Sequence, residues 1–311
     1  MKAATGWIAR RYVLEGESAR AGVAQVLQRR LPLGISVAYA PRGPLVEPAD
    51  LPGAIRALRA ALAAERCASL LCDPEVEDDP GLRARLAGAG VRPAPVFVQP
   101  RRTLLLDLSA EPDAMLAAMR KKTRQYIRKA ERAGVVTEET ADLGRFLAVL
   151  RRVADRDRFG IHDRPYFERL RVAFRDGCRL LMARVGADDA GALLVVRIGD
   201  RAWELYGGWS GDHAEERPFY LLKWRALMLM RELGVRRYDM WGLADRADGD
   251  GEGKGPRGGA PDDPLSGVEN FKLGFGGDVV TWIGALETPV RSWLYPLWVY
   301  AGRRRLARSA A

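Results

Sequence analysis

The sequence predicts an α/β protein of two lobes, on three observations. Its 311 residues exceed what one ordinary core organises and suit two domains of about 100–200 residues each. Apolar residues make up 48% and charged residues 29%, the balance of a chain that folds around cores. Strand-like and helix-like periods then alternate along the chain in two successive sets.

In the first set, residues 34–40 read as a buried strand ending at the turn Pro41-Arg42-Gly43-Pro44. A helix over 49–66 follows, then a strand over 69–72 that stops at Asp73-Pro74. Residues 80–89 read as a helix capped by Gly90, and 91–108 alternate like one or two strands. The second set begins with a predicted helix over 112–132, whose Met115, Leu116, Met119, Thr123, Tyr126, Ile127 and Ala130 form one stripe. Helices over 143–155 and 164–175 follow, the latter with Pro165 in its first turn. Strands are expected at 178–185, 191–198 and 202–206, a helix at 218–233 ending at Gly234, and a strand at 236–241. Residues 244–267 are rich in Gly, Asp and Pro and read as a flexible loop. The boundaries expected are 1–110 for the first lobe, completed by about 287–311, and 111–286 for the second.

Composition removes several chemistries. Three cysteines without a CxxC spacing fit neither a disulfide framework nor a zinc site, and they suit a reducing cytoplasm. With only His162 and His213, a three-histidine metal centre is impossible. No GxSxG, HExxH or GxxxxGK[ST] occurs. The start, MKAATGWIARRYVLE, has no signal-peptide core, and no run of about 20 apolar residues could span a membrane. Residues 293–300 are apolar and aromatic and lead into Arg303, Arg304, Arg305 and Arg308. Such an end suits peripheral contact with an anionic inner leaflet, although a packed terminal helix with a solvated tail is the plainer reading.

Three features could carry chemistry. The helix at 112–132 bears Arg120, Lys121, Lys122, Arg124, Arg128, Lys129 and Arg132 against a single late acid, Glu131. Positions 120, 124 and 128 are a turn apart without acidic i,i+4 partners, a pattern suited to nucleic-acid phosphates; a solvated face is the alternative. Arg85-Leu86-Ala87-Gly88-Ala89-Gly90 has the RxxGxG pattern of a coenzyme A loop, but its glycines close a helix, so no amides open towards a pyrophosphate. At the other strand–helix junction Asp212, Glu215 and Glu216 would repel that anion. Last, Phe271-Lys272 lies beside Gly274, Gly276 and Gly277. A lysine among rings can direct charge at a developing oxyanion; a strand lysine that merely snorkels is equally compatible with the spacing.

Asn270-Phe271-Lys272-Leu273-Gly274-Phe275-Gly276-Gly277 resembles the late FK…F motif of the FemAB/FemX peptidoglycan aminoacyltransferases. Further segments agree in order. Lys2 with Gly6-Trp7 looks like the family's early lysine and tryptophan segment, Pro41-Arg42-Gly43-Pro44 like its (K/R)GP turn, and Asp73-Pro74-Glu75 like its DPE strand end. Residues 161–167 resemble its RP..YF helix start, and Tyr206-Gly207-Gly208 and Tyr238-Asp239-Met240-Trp241-Gly242 resemble two strand ends of its second lobe.

The resemblance implies two GNAT-like acyltransferase lobes, mixed sheets flanked by helices, with the last residues completing the first. It implies aminoacyl-tRNA as donor, a muramyl-pentapeptide (UDP-MurNAc-pentapeptide or lipid II) as acceptor, and no coenzyme A or metal. By position, Lys2, Arg164 and Tyr166 would hold the precursor's phosphates and neighbouring groups, with Arg42 also at the precursor. Asp73 would orient the acceptor peptide or amine, and Tyr206 would line the cleft. Phe271 would position the aminoacyl end and Lys272 would stabilise the oxyanion. Arg120, Lys121, Arg124, Arg128 and Lys129 would meet tRNA. Two departures are visible. Family members usually carry a helix and strand before the lysine matched by Lys2, which implies a truncated or misassigned start. Glu204 also stands where members can carry a tyrosine. The competing readings are a nucleic-acid-binding or scaffold protein with a degenerate GNAT fold, and an acyl or aminoacyl transferase with another acceptor.

Overall fold

A computed structural model describes residues 6–15, 22–31, 34–95, 98–157, 160–244, 264–296 and 299. The chain divides into two compact units, Met1–Arg101 with Thr281–Ala311, and Arg102–Val280.

The first unit is a six-stranded sheet in the order β1-β2-β3-β4-β13-β5. Its strands are β1 (Trp7–Leu14), β2 (Gly22–Arg30), β3 (Ser36–Ala40), β4 (Cys67–Cys72), β5 (Arg92–Pro93) and β13 (Leu286–Pro289). The only parallel pairing among these is β3 with β4, which α1 (Leu51–Ala63) connects. In α1, Leu51, Ile55, Leu58 and Leu62 recur at helical spacing and bury their stripe on the sheet. α2 (Pro80–Gly88) starts at Asp79, whose carboxylate accepts from the Leu82 N–H at 2.6 Å, and Gly90 beyond its end adopts φ +76°. The coenzyme A-like pattern therefore sits on a helix end. β13 joins from the far end of the chain, between β4 and β5.

The second unit is a seven-stranded sheet, β12-β6-β11-β10-β9-β8-β7. The strands are β6 (Arg102–Asp107), β7 (Val136–Glu139), β8 (Cys178–Val185), β9 (Asp188–Ile198), β10 (Arg201–Trp209), β11 (Arg237–Asp239) and β12 (Asp278–Thr281). Strand alternation sorts the side chains of β8 and β9 cleanly. Leu181, Ala183, Leu193 and Val195 face the helices Lys121–Arg132 (α4) and Pro218–Glu232 (α7). Leu180, Met182, Ala192, Leu194 and Val196 face α5 (Leu143–Asp157) and α6 (Arg164–Phe174). Both faces are covered, which explains the continuous apolar run from Ala190 to Val196.

Two expectations need correction. The helix expected over 112–132 is two helices, α3 (Pro112–Ala118) and α4 (Lys121–Arg132), because Met119 and Arg120 are extended. The break accommodates the later glycines: the Arg120 N–H donates to the Gly274 carbonyl at 2.9 Å, and a Cβ on Gly276 would lie 3.0 Å from the Ala118 carbonyl oxygen. The segment carrying Lys272 is also not a strand. It is α8 (Pro264–Leu273), with Lys272 in the last turn. No helix among the described residues is long and apolar enough to cross a membrane. Most of the loop expected at 244–267, and most of the basic aromatic tail, lie outside the described residues.

Candidate active site

Three sequence features of the second unit meet around one cavity of about 420 Å³, lined among others by Glu204, Tyr206, Lys223, Trp241, Phe271 and Lys272. Its chemistry begins where β11 ends. Asp239 is buried and accepts from the Thr103 hydroxyl and, at 2.7 Å, from the Trp241 N–H. This Asx-type turn puts Trp241 at φ +56° and turns the carbonyls of Trp241 and Gly242 towards α8. Lys272 Nζ donates to both, at 2.5 and 2.7 Å. An ammonium group has three N–H donors, so one remains for a ligand. Burial pulls the Lys272 ammonium down to about 8, against the opposing pull of the Asp239 and Glu269 carboxylates. Arg102 in turn donates to Glu269 at 3.3 Å and so fixes the preceding turn of α8.

Phe271 is wedged among rings: stacked on Phe219 at 5.4 Å between centroids, and edge-on to Tyr220 and Phe275 at 4.8 and 5.4 Å. The glycines beyond it serve close approach. A Cβ on Gly274 would lie 2.4 Å from Thr123 Oγ1, and one on Gly277 2.4 Å from the Leu105 carbonyl oxygen.

A β-bulge in β10 decides where the strand's polar residues point. The register shifts between Glu204 and Tyr206, so Glu204 pairs with Val195 and Tyr206 with Leu194. Residues two apart would otherwise share a face; the extra residue sends Glu204 to the α7 side and Tyr206 to the α5–α6 side. Tyr206 meets Tyr166 hydroxyl to hydroxyl at 2.9 Å, and burial raises its phenol well above the ordinary range. His162 stacks on Tyr166 at 3.8 Å. Glu204, in place of a tyrosine, is buried in an ion pair with Lys223, and Tyr238 donates to its other oxygen at 3.0 Å. Lys223 is a site residue that motif reading missed.

The remaining predicted residues are placed as follows. In the first unit Asp73 accepts from the Tyr39 hydroxyl and from the Arg42 N–H, both at 2.6 Å, and burial raises its carboxyl pKa. Asp73 and Arg42 thus come together, with Arg42 at φ +48°. Arg164 is exposed and paired with Glu168 at 2.9 Å. Lys2 lies outside the described residues. Arg120, just before α4, and Lys121 and Arg128 on it are exposed, whereas Lys129 pairs with Glu215 at 3.0 Å. Arg124 folds back to donate to the Met119 and Ala117 carbonyls, closing the end of α3. None of the five lines the cavity. The acids expected to repel a pyrophosphate are partnered: Asp212 with Arg152, Glu215 with Lys129, and Glu216 with His213. Among the described residues, no group of three or more His, Cys, Asp or Glu could hold a metal ion.

Two mixed sheets flanked by helices, with the bulged β10 leading to α7, define an acyltransferase fold of the GNAT kind. A tandem GNAT protein from the clavulanic acid biosynthesis pathway superposes with a TM-score of 0.50 at 21% identity, covering 92% of this chain and 84% of that one. The crystal structure of FemX superposes with 0.79 at 20% identity, covering 95% and 91%. The FemAB family profile matches residues 84–191 and 188–303, and the chain belongs to the FemAB family. Lipid II:glycine glycyltransferase of Staphylococcus aureus is 27% identical over 190 residues, which is 56% of this chain. The chain matches 45% of that relative's length.

Proposed function

We propose that this protein transfers an aminoacyl group from aminoacyl-tRNA to the stem peptide of a peptidoglycan precursor, with lipid II the favoured acceptor. The observation that carries the reading is Lys272, an ammonium anchored by two carbonyls with its third N–H at an apolar cavity beside Phe271. An amine of the stem peptide attacks the ester carbonyl of the donor. The N–C bond forms, the C–O bond to ribose breaks, and the amine's proton passes to the ribose oxygen through water or a substrate group. The ester is already activated, so alignment and oxyanion stabilisation are the demands on the protein. Lys272 answers the second, Phe271 seats the aminoacyl end, and Tyr206 lines the acceptor side. Neither coenzyme A nor a metal takes part in this scheme.

The FemAB profile and the name of the S. aureus relative favour a cell-wall precursor over the other acceptors considered. The exposed Arg120, Lys121 and Arg128 favour a polyanionic donor. The test incubates the protein with charged tRNAs and either lipid II or UDP-MurNAc-pentapeptide. The expected product is heavier by one aminoacyl residue; with no product from any pairing, the proposal fails.

A further inference from the structure

Lys223 is 2% exposed, in the middle of α7, and is paired with Glu204. A buried pair of this kind usually gives less stability than apolar residues of the same volume would. Its position suggests a use. Lys223 and Glu204 line the same cavity as Lys272. Lys223 Nζ lies 5.2 Å from the centroid of Phe219 and 5.6 Å from that of Phe271, the two rings that stack on each other. Burial and the nearby charge of Lys272 both act against its positive charge, in that order, and Glu204 opposes them as its ion-pair partner.

We propose that Lys223, held by Glu204, is a positioning residue of this site: its ammonium seats the Phe271 ring and, as a second cation in the same wall, makes Lys272 a stronger donor to an acyl oxygen. The inference rests on the transfer function proposed above. Two ammonium groups repel, and the repulsion is reciprocal, so a cation at 223 sharpens the acidity of the one at 272. The charged groups that act on Lys272 or share its cavity are Lys223 from α7 and Arg217 just before it, Glu204 from β10, the paired Arg156 and Asp157 at the end of α5, Asp239 from the end of β11, and Glu269 from α8 with Arg102 behind it. Lys272 is the cation whose charge acts on Lys223, and both ammonium groups line the one cavity. Phe271, stacked on Phe219 with the Lys223 cation beside both rings, keeps one orientation next to the reacting carbonyl.

The test titrates Lys272 by carbon-13 lysine NMR in the free, full-length protein and measures transfer kinetics on the same preparations. The variants are Lys223→Met, Glu204→Gln and the double variant. The Lys272 midpoint is expected highest in Lys223→Met, which keeps the Glu204 carboxylate, then in the double variant, then in wild type, and lowest in Glu204→Gln. A role in packing alone would not order the midpoints by charge. Donor KM is expected to rise about thirtyfold in the double variant, the size of one desolvated cation–π contact, with acceptor KM unchanged. If Lys223→Met does not fold, the double variant and Glu204→Gln carry the comparison. A Lys272 midpoint and donor KM unmoved in both overturn the proposal. Absence of transfer in wild type overturns the proposed function instead, and leaves the order of midpoints to decide the electrostatic coupling.

Discussion

Replacing Lys272 by methionine separates chemistry from architecture at this site. The side chain keeps its reach and loses its charge. Folding loses two hydrogen bonds to the carbonyls of Trp241 and Gly242, at about 1–2 kcal/mol each for partners left behind in a partly buried place. It also sheds an unfavourable term. The ammonium is pulled from its ordinary 10.5 to about 8, and at about 1.4 kcal/mol per tenfold change in protonation, burying it costs about 3 kcal/mol below pH 8. The terms oppose and nearly cancel, so stability should change by less than about 2 kcal/mol. Catalysis has no such compensation: one lost oxyanion donor costs about 3 kcal/mol, on the order of a hundredfold in kcat. Single-turnover transfer from aminoacyl-tRNA, with thermal unfolding on the same sample, reads both quantities. A folded Lys272→Met variant with more than about a third of wild-type kcat would refute the oxyanion role.

Four further outcomes follow from the geometry. Lys272 must be protonated to donate charge, and its lowered pKa means the cation is lost as pH rises through about 8; kcat/KM should fall tenfold per pH unit above that point, and a flat profile to pH 10 would contradict it. Arg120, Lys121 and Arg128 are exposed at the start of α4 and along it, so changing all three to Gln should flatten the slope of log Kd for tRNA against log salt by about 2–3, measured by filter binding. Arg124→Gln should instead lower the unfolding temperature, since Arg124 holds the end of α3, with the salt slope retained. Tyr206→Phe removes a hydroxyl that meets Tyr166 at 2.9 Å; denaturant unfolding should show about 1 kcal/mol lost, while acceptor KM rises and donor KM does not.

The second unit was more legible in sequence than the first because its core elements obey one period each. β8 and β9 alternate faces and α5 carries an uninterrupted apolar stripe. β1 went unread for a physical reason: in Trp7–Leu14 four consecutive residues are exposed, Ile8, Ala9, Arg10 and Arg11. A strand with so little buried on either face has no alternation to detect. The break between α3 and α4 was equally hidden. The hydrophobic stripe runs through Met119 into Thr123 and Ile127 without interruption, and only a distant partner, Gly274, takes the Arg120 N–H that extended backbone leaves over. α8 escaped for a related reason. Its sequence carries Gly267 and beta-branched Val268, and Glu269 and Phe271 bind it through tertiary contacts with Arg102 and Phe219 that outweigh weak local propensity.

At the site, motifs located Lys272 and Phe271 but not what acts on them. Lys223 and Glu204 left a faint trace, each a lone charge in an apolar run, Leu222-Lys223-Trp224 on a helix and Trp203-Glu204-Leu205 on a strand. Charged residues in such places are almost never buried unless paired, so two of opposite sign in one lobe are a hint of one another. The pairing also depends on the bulge after Glu204. In a regular β10, Glu204 and Tyr206 would share a face, and either the carboxylate would lose Lys223 or the phenol would lose Tyr166. The pair has an energetic signature of its own. Lys223→Met should cost about 3–5 kcal/mol by stranding a buried carboxylate, and adding Glu204→Gln should recover most of that loss. A double variant no more stable than Lys223→Met would mean the carboxylate reaches water when its partner is gone.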